Sequence, residues 1–195
     1  MKTIYLYAAL AASALAPAAA GAQALPPASV AVVDLNRITA ECTACKTAAA
    51  ALRTQLTSYQ NREKSLAGPI ETEGKSIQAA INALAGKAPD AALQARVKAF
   101  QARQQTAAQT LQREQQQIER NQAYIRQQIA AKLGPVYQQV MQRRGANVML
   151  ETGSTLATAS SIDVTADVLA GLNTAMPTIQ TTAPAQTQQQ QPQGR

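Results

Sequence analysis

Two long stretches of this chain place their apolar side chains at steps of three, four and seven residues, and this spacing constrains the fold more than any other feature. In the first stretch Leu52, Leu56, Tyr59, Leu66, Ile70, Ile77, Ile81 and Leu84 recur in this way. In the second, Leu93, Val97, Phe100, Ala107, Leu111, Ile118, Ile125, Ile129, Leu133, Val136 and Val140 do the same. A helix brings such positions to one side, so each stretch carries one apolar seam on an otherwise polar rod. Between them, Gly86-Lys87-Ala88-Pro89-Asp90 gathers turn-forming residues. The spacing predicts helix from about Arg37 to Ala85 and from about Ala91 to Arg144, the second ending at Gly145 in a left-handed cap. Two seams joined by a five-residue turn make an antiparallel αα-hairpin. At about 1.5 Å per residue, residues 46–85 span roughly 60 Å, which is an arm and not a globule. Glu63 and Glu73 fall near core phases, and Gly68-Pro69 and Gly134-Pro135 predict bends. The arm is therefore expected to be compliant.

Composition favours the same conclusion. The chain holds 43 Ala and 26 Gln but no Trp, no His and one Phe, Phe100. Its apolar content is thus mostly alanine, which promotes helix but buries little area.

The flanks are of another kind. Val30-Ala31-Val32-Val33-Asp34-Leu35 reads as a short strand, and Asn147-Val148-Met149-Leu150-Glu151 as a second. After a turn at Gly153-Ser154, Thr155 to Ser160 reads as a third strand, and Asp163-Val164-Thr165 caps a short helix from about Ala166 to Leu172. The expected fold class is α+β: a small β-strand head, residues 28–45 and 145–173, with the helical hairpin arm of residues 46–144 inserted in it. So few strands and large side chains do not make a head stable alone, and oligomerisation is the natural remedy.

Both ends are atypical. Residues 1–24 carry a basic start, an apolar run from Ile4 to Ala16, then small residues such as Ala20-Gly21-Ala22. This is the pattern of a secretory signal peptide, and it points to the periplasm. Residues 174–195 are mostly Thr, Ala, Pro and Gln. They are expected to form a disordered Gln/Pro/Thr-rich tail, having little apolar surface to offset ordering entropy.

Charge is unevenly spread. Residues 46–144 hold 15 basic and 6 acidic side chains, a net +9, whereas the rest holds 3 and 5, a net −2. Lys87, Arg96, Lys98 and Arg103 cluster near the predicted turn. A basic tip suits an acidic client, lipopolysaccharide or an anionic lipid surface; the alternative is a solvated helix face that happens to be basic. Nucleic acid is a poor fit for an exported chain with one Phe and no stacking platform.

Cys42-Thr43-Ala44-Cys45 is the sharpest local motif. Near a helix start it suits a redox-active pair, a local disulfide in an oxidising compartment, with about 2 kcal/mol from a four-residue loop, or free thiols or metal ligands. With two Cys and no His, a tetrahedral zinc site within one chain is not expected. No nucleophile–base pair, phosphate loop or cofactor motif is found, so no enzyme is predicted. Asp163 and Asp167 are expected to serve the helix cap.

The order of these elements resembles the Skp/OmpH family of periplasmic chaperones. Val30 to Arg37 is similar to the family's opening strand, which ends in Asp before a short link with Arg. Gly145 to Leu150, and Asp163 to Asn173 with Val168, Leu169 and Leu172, are similar to its closing strand and helix. The resemblance covers about residues 28–173. It implies a homotrimer whose heads join through β-strands, and whose arms enclose unfolded outer-membrane proteins without ATP. It also implies a lipopolysaccharide patch at Lys87, Lys98 and Arg96. The chain departs from the family in Cys42 to Cys45, where a Ser-Pro link is common, and in a less strongly charged arm. The expected function is an ATP-independent holdase for unfolded outer-membrane proteins. The rivals are a thiol–disulfide oxidoreductase using Cys42 and Cys45, and a structural coiled-coil envelope protein.

Overall fold

The structure, a computed structural model, describes residues 26–184. The expected signal peptide and residues 185–195 of the expected tail lie outside the described residues. Strand β1 (Val30–Val33) is followed by helix α1 (Leu35–Glu41), the long helices α2 (Thr43–Ala83) and α3 (Ala91–Arg144), strand β2 (Val148–Glu151) and helix α4 (Thr165–Ala175). Single 3-10 turns lie at Thr152–Ser154 and Ser160–Ile162.

The helix ends follow local chemistry. Asp34 Oδ1 accepts the Arg37 N–H at 2.9 Å, and Asp90 Oδ1 accepts the Leu93 N–H at 2.7 Å. Each satisfies a first-turn donor left open by the helix. Gly145 closes α3 at φ 65°, the left-handed conformation expected of it. The first helical stretch is two helices and not one. Cys42, at φ −53° and ψ 126°, breaks the run and caps α2, its sulfur accepting the Cys45 N–H at 3.2 Å. Pro69 and Pro135 lie inside unbroken helices.

At 41 and 54 residues, α2 and α3 are about 60 and 80 Å long. Contacts between them match falling positions of α2 to rising positions of α3: Glu73 with Arg96, Arg62 with Glu114, Gln55 with Asn121. Along the seam, Ile77, Ala107, Ile118, Ile125, Leu133, Val136 and Val140 are buried. Leu56 and Ile81, placed in the same seam by spacing, remain 42% and 41% exposed. Two helices alone cannot cover two seams that alanine has made shallow.

β1 and β2 pair in parallel, Val30 beside Val148 and Val33 beside Glu151, joined by the long helices as a crossover. The third strand expected at Thr155 to Ser160 does not form. That segment carries one large apolar side chain, Leu156, which is fully exposed, so a strand there has nothing to bury. Instead Asp163 makes a single parallel bridge to Val32, and Val164 N–H donates to Val32 O at 2.9 Å. The core gathers β1, α1, α4 and the C-terminal part of α3 around Ile38, Cys42, Val136, Val140, Val168 and Leu172.

The expectation of disorder from residue 174 is corrected for residues 174–184. Helix α4 continues to Ala175, Met176 is buried at 3% exposure, and Ile179 packs against the core. The segment beyond lies on the α2–α3 pair, held by hydrogen bonds from Gln55, Asn121 and Gln128. Composition misses this because the ordering comes from two apolar anchors and from polar partners elsewhere in the chain.

Candidate functional site

The four basic residues expected at the tip fall into two kinds. Lys87 lies in the turn and Lys98 on the exposed side of α3. Neither is in an ion pair among the described residues. Arg96 points inward: its Nε donates to Glu73 Oε1 at 2.7 Å, and a terminal nitrogen donates to Ser76 Oγ at 2.7 Å. Arg103 stands 4.0 Å from the same carboxylate. The hydrogen bond from Arg96 holds the Glu73 carboxyl below its ordinary 4.5, aided by the charges of both arginines and opposed by partial burial. The polar seam position of Glu73 is thus answered by a cross-helix bond, while Glu63 is exposed.

Below the tip, an apolar groove of about 340 Å³ opens between the helices, lined by Leu66, Pro69, Ile70, Ala102, Thr106 and Ala107. Small residues on α3 opposite a proline on α2 leave this space unfilled.

Nearer the head the pair carries a row of carboxamides. Asn121 sits between Ile118 and Ile125 in the seam and is 3% exposed. Its Nδ2 donates to Gln55 Oε1 at 2.9 Å, and its Oδ1 accepts from Gln117 Nε2 at 2.7 Å and from Ala183 N–H at 2.8 Å. Gln128 bonds both main-chain groups of Gln180. Sequence reading passes over this row because glutamine in a helix usually faces water. Asn121 at a seam position was the one available signal.

Cys42 and Cys45 are joined as a disulfide. They are 0% and 6% exposed, within the core formed by α1, α3 and α4. Exchange needs a thiolate to reach a sulfur along its bond axis, and both sulfurs lie within this core. Asn173 Oδ1 accepts the Thr43 N–H at 3.0 Å, tying α4 to the same corner. Asp163 Oδ1 accepts the Thr165 N–H at 2.8 Å, and Asp167 pairs with Arg144. Among the described residues no cluster of three potential metal ligands is found, and no helix is long and apolar enough to cross a membrane.

The family model described as outer membrane protein (OmpH-like) matches residues 29–172. The fold is similar to the crystal structure of an OmpH-like protein from Caulobacter crescentus CB15, proposed to be an outer membrane chaperone. The TM-score is 0.68 at 19% identity, covering 85% of this chain and 96% of that one. No curated protein matches the chain.

Proposed function

The chain belongs to the OmpH-like family, and on that premise we propose that it is a periplasmic, ATP-independent holdase that keeps unfolded outer-membrane proteins from aggregating. The observation that carries this reading is the incompletely covered seam of the α2–α3 pair. Leu56 and Ile81 are exposed on a limb with a net charge of +9, and an apolar groove lies between its helices. Shallow apolar contact and diffuse positive charge give many weak contacts, which hold an unfolded chain and still release it. In this reading residues 46–144 are an antiparallel hairpin arm, and residues 28–45 with 145–173 are the oligomerisation head. Three copies meet through the open edge of β2, beside the exposed Leu150, and their arms surround the client. Lys87 and Lys98 are the tip cations left for an acidic client or lipopolysaccharide, because Arg96 is held by Glu73. Residues 1–24 act as the export signal.

The test is the solution mass of the mature chain, with and without an unfolded outer-membrane protein, together with suppression of that protein's aggregation. A trimer that binds and suppresses is expected. A monomer without suppression overturns the reading. The oxidoreductase rival predicts insulin reduction that Cys42→Ser abolishes; burial of both sulfurs favours no reduction by either chain.

A further inference from the structure

The contacts between residues 177–184 and the α2–α3 pair have an uncommon make-up. The helices offer carboxamides, and the segment offers mostly main chain. Gln128 Oε1 accepts the Gln180 N–H at 3.0 Å while its Nε2 donates to the Gln180 carbonyl at 2.8 Å. Three residues on, Asn121 Oδ1 accepts the Ala183 N–H at 2.8 Å. From the other helix, Gln55 Nε2 donates to the Thr181 carbonyl at 3.3 Å. A carboxamide that bonds both the N–H and the C=O of one residue recognises polypeptide by groups that every residue except proline presents. Asn121 is buried beneath the segment, and Gln55 and Gln117, which hold its amide, also donate to the Thr181 and Ala183 carbonyls.

The track is longer than its occupant. A groove of about 400 Å³ begins at Thr182 and runs on toward the tip between Tyr59 and Arg62 of α2 and Gln117 and Ile118 of α3. We propose that Gln55, Asn121 and Gln128 form a binding site for polypeptide read through its main chain, and that residues 177–184 are its tethered occupant. The site discriminates little by sequence, which is the recognition a chaperone of varied clients needs. On the chaperone reading above, the segment competes with client chain for this track, so that binding a client displaces the strap.

The test uses the full mature chain and its variant Gln180→Pro/Ala183→Pro, which removes both donated N–H groups and leaves the row intact. Backbone ¹⁵N relaxation should show Thr181 and Thr182 as ordered as the helices in the native chain, and mobile in the variant. A peptide of residues 177–184 should bind the variant at up to millimolar concentration, and the same peptide N-methylated at Gln180 and Ala183 should not. Affinity for an unfolded β-barrel protein should rise in the variant, about tenfold if the strap is closed nine-tenths of the time. A mobile Thr181 in the native chain, no peptide binding, or equal binding of the methylated peptide overturns the site. Equal client affinity in the two chains overturns the competition. If neither chain binds the client, the chaperone reading fails, while relaxation and peptide binding still decide the site.

Discussion

Thr165 ties together residues far apart in the chain. Its Oγ1 accepts the Asp34 N–H at 2.9 Å, its own N–H donates to Asp163 Oδ1 at 2.8 Å, and it is 1% exposed. Bonds from its hydroxyl, then from its N–H, hold the Asp163 carboxyl below the ordinary 3.8. Thr165→Val keeps the shape but leaves the Asp34 N–H without a partner, at a cost of about 1–3 kcal/mol. Chemical denaturation should show a lower midpoint with unchanged slope, and Thr165→Ser should recover most of the loss. The local half of this arrangement is legible in Asp163-Val164-Thr165, since a helix start announces itself within three residues. The tie to Asp34 is not, because only the assembled head brings position 34 to position 165. Glu73 supplies a pH dependence of definite sign. Its folded carboxyl titrates below 4.5, so its bond to Arg96 stabilises the tip above that pH and is lost as pH falls through the lowered value. The thermal midpoint of the native chain should therefore fall more steeply below pH 4.5 than that of Glu73→Gln. Equal slopes would mean that the ion pair does not hold the tip.

At the scale of elements, α4 rests on α3 at a point where only glycine fits. A Cβ at Gly171 would lie 2.9 Å from Val136 Cγ1, and Val136 is 2% exposed, β-branched and unable to turn aside. Alanine gains about 0.5–1 kcal/mol over glycine within a helix, but overpacking a core costs about 1–3 kcal/mol, so packing wins. Gly171→Ala should lower stability by about 1 kcal/mol in urea denaturation, and Val136→Ala in the same chain should remove that clash, although it costs stability of its own. Helix ends and strands β1 and β2 are readable from sequence because caps and β-rich runs are local signals. The missing third strand shows where such reading stops. Threonine and serine at 155–160 suit a strand, yet a strand forms only where an edge and an apolar face receive it, and Leu156 finds neither. The strap failed in the other direction: Met176 and Ile179 suffice to order a segment whose composition resembles disorder, because carboxamides 50 to 130 residues away complete its hydrogen bonds.

At the scale of the molecule, large apolar side chains stay exposed both along the helix pair and in the head. Along the helix pair the seam outruns what two helices can cover. In the head, two strands make a sheet that is marginal in isolation, and β2 has β1 on one side and no strand on the other among the described residues. Leu150, 41% exposed on β2, adds an apolar side chain to that open edge. If copies of the chain join there, a charge at this position should prevent it, since a buried, unpaired ammonium costs more than a strand pairing returns. Leu150→Lys should sediment at the mass of one chain while keeping the far-ultraviolet helix signal of the native protein. On the proposed reading, in which arms of several copies enclose the client, its retention of an unfolded outer-membrane protein should fall, although the surface of each arm is untouched. A Leu150→Lys chain that still sediments with the native mass would place the contact between copies elsewhere than β2. One that becomes monomeric yet binds client as tightly would show that a single arm, and not the space between arms, is the binding unit.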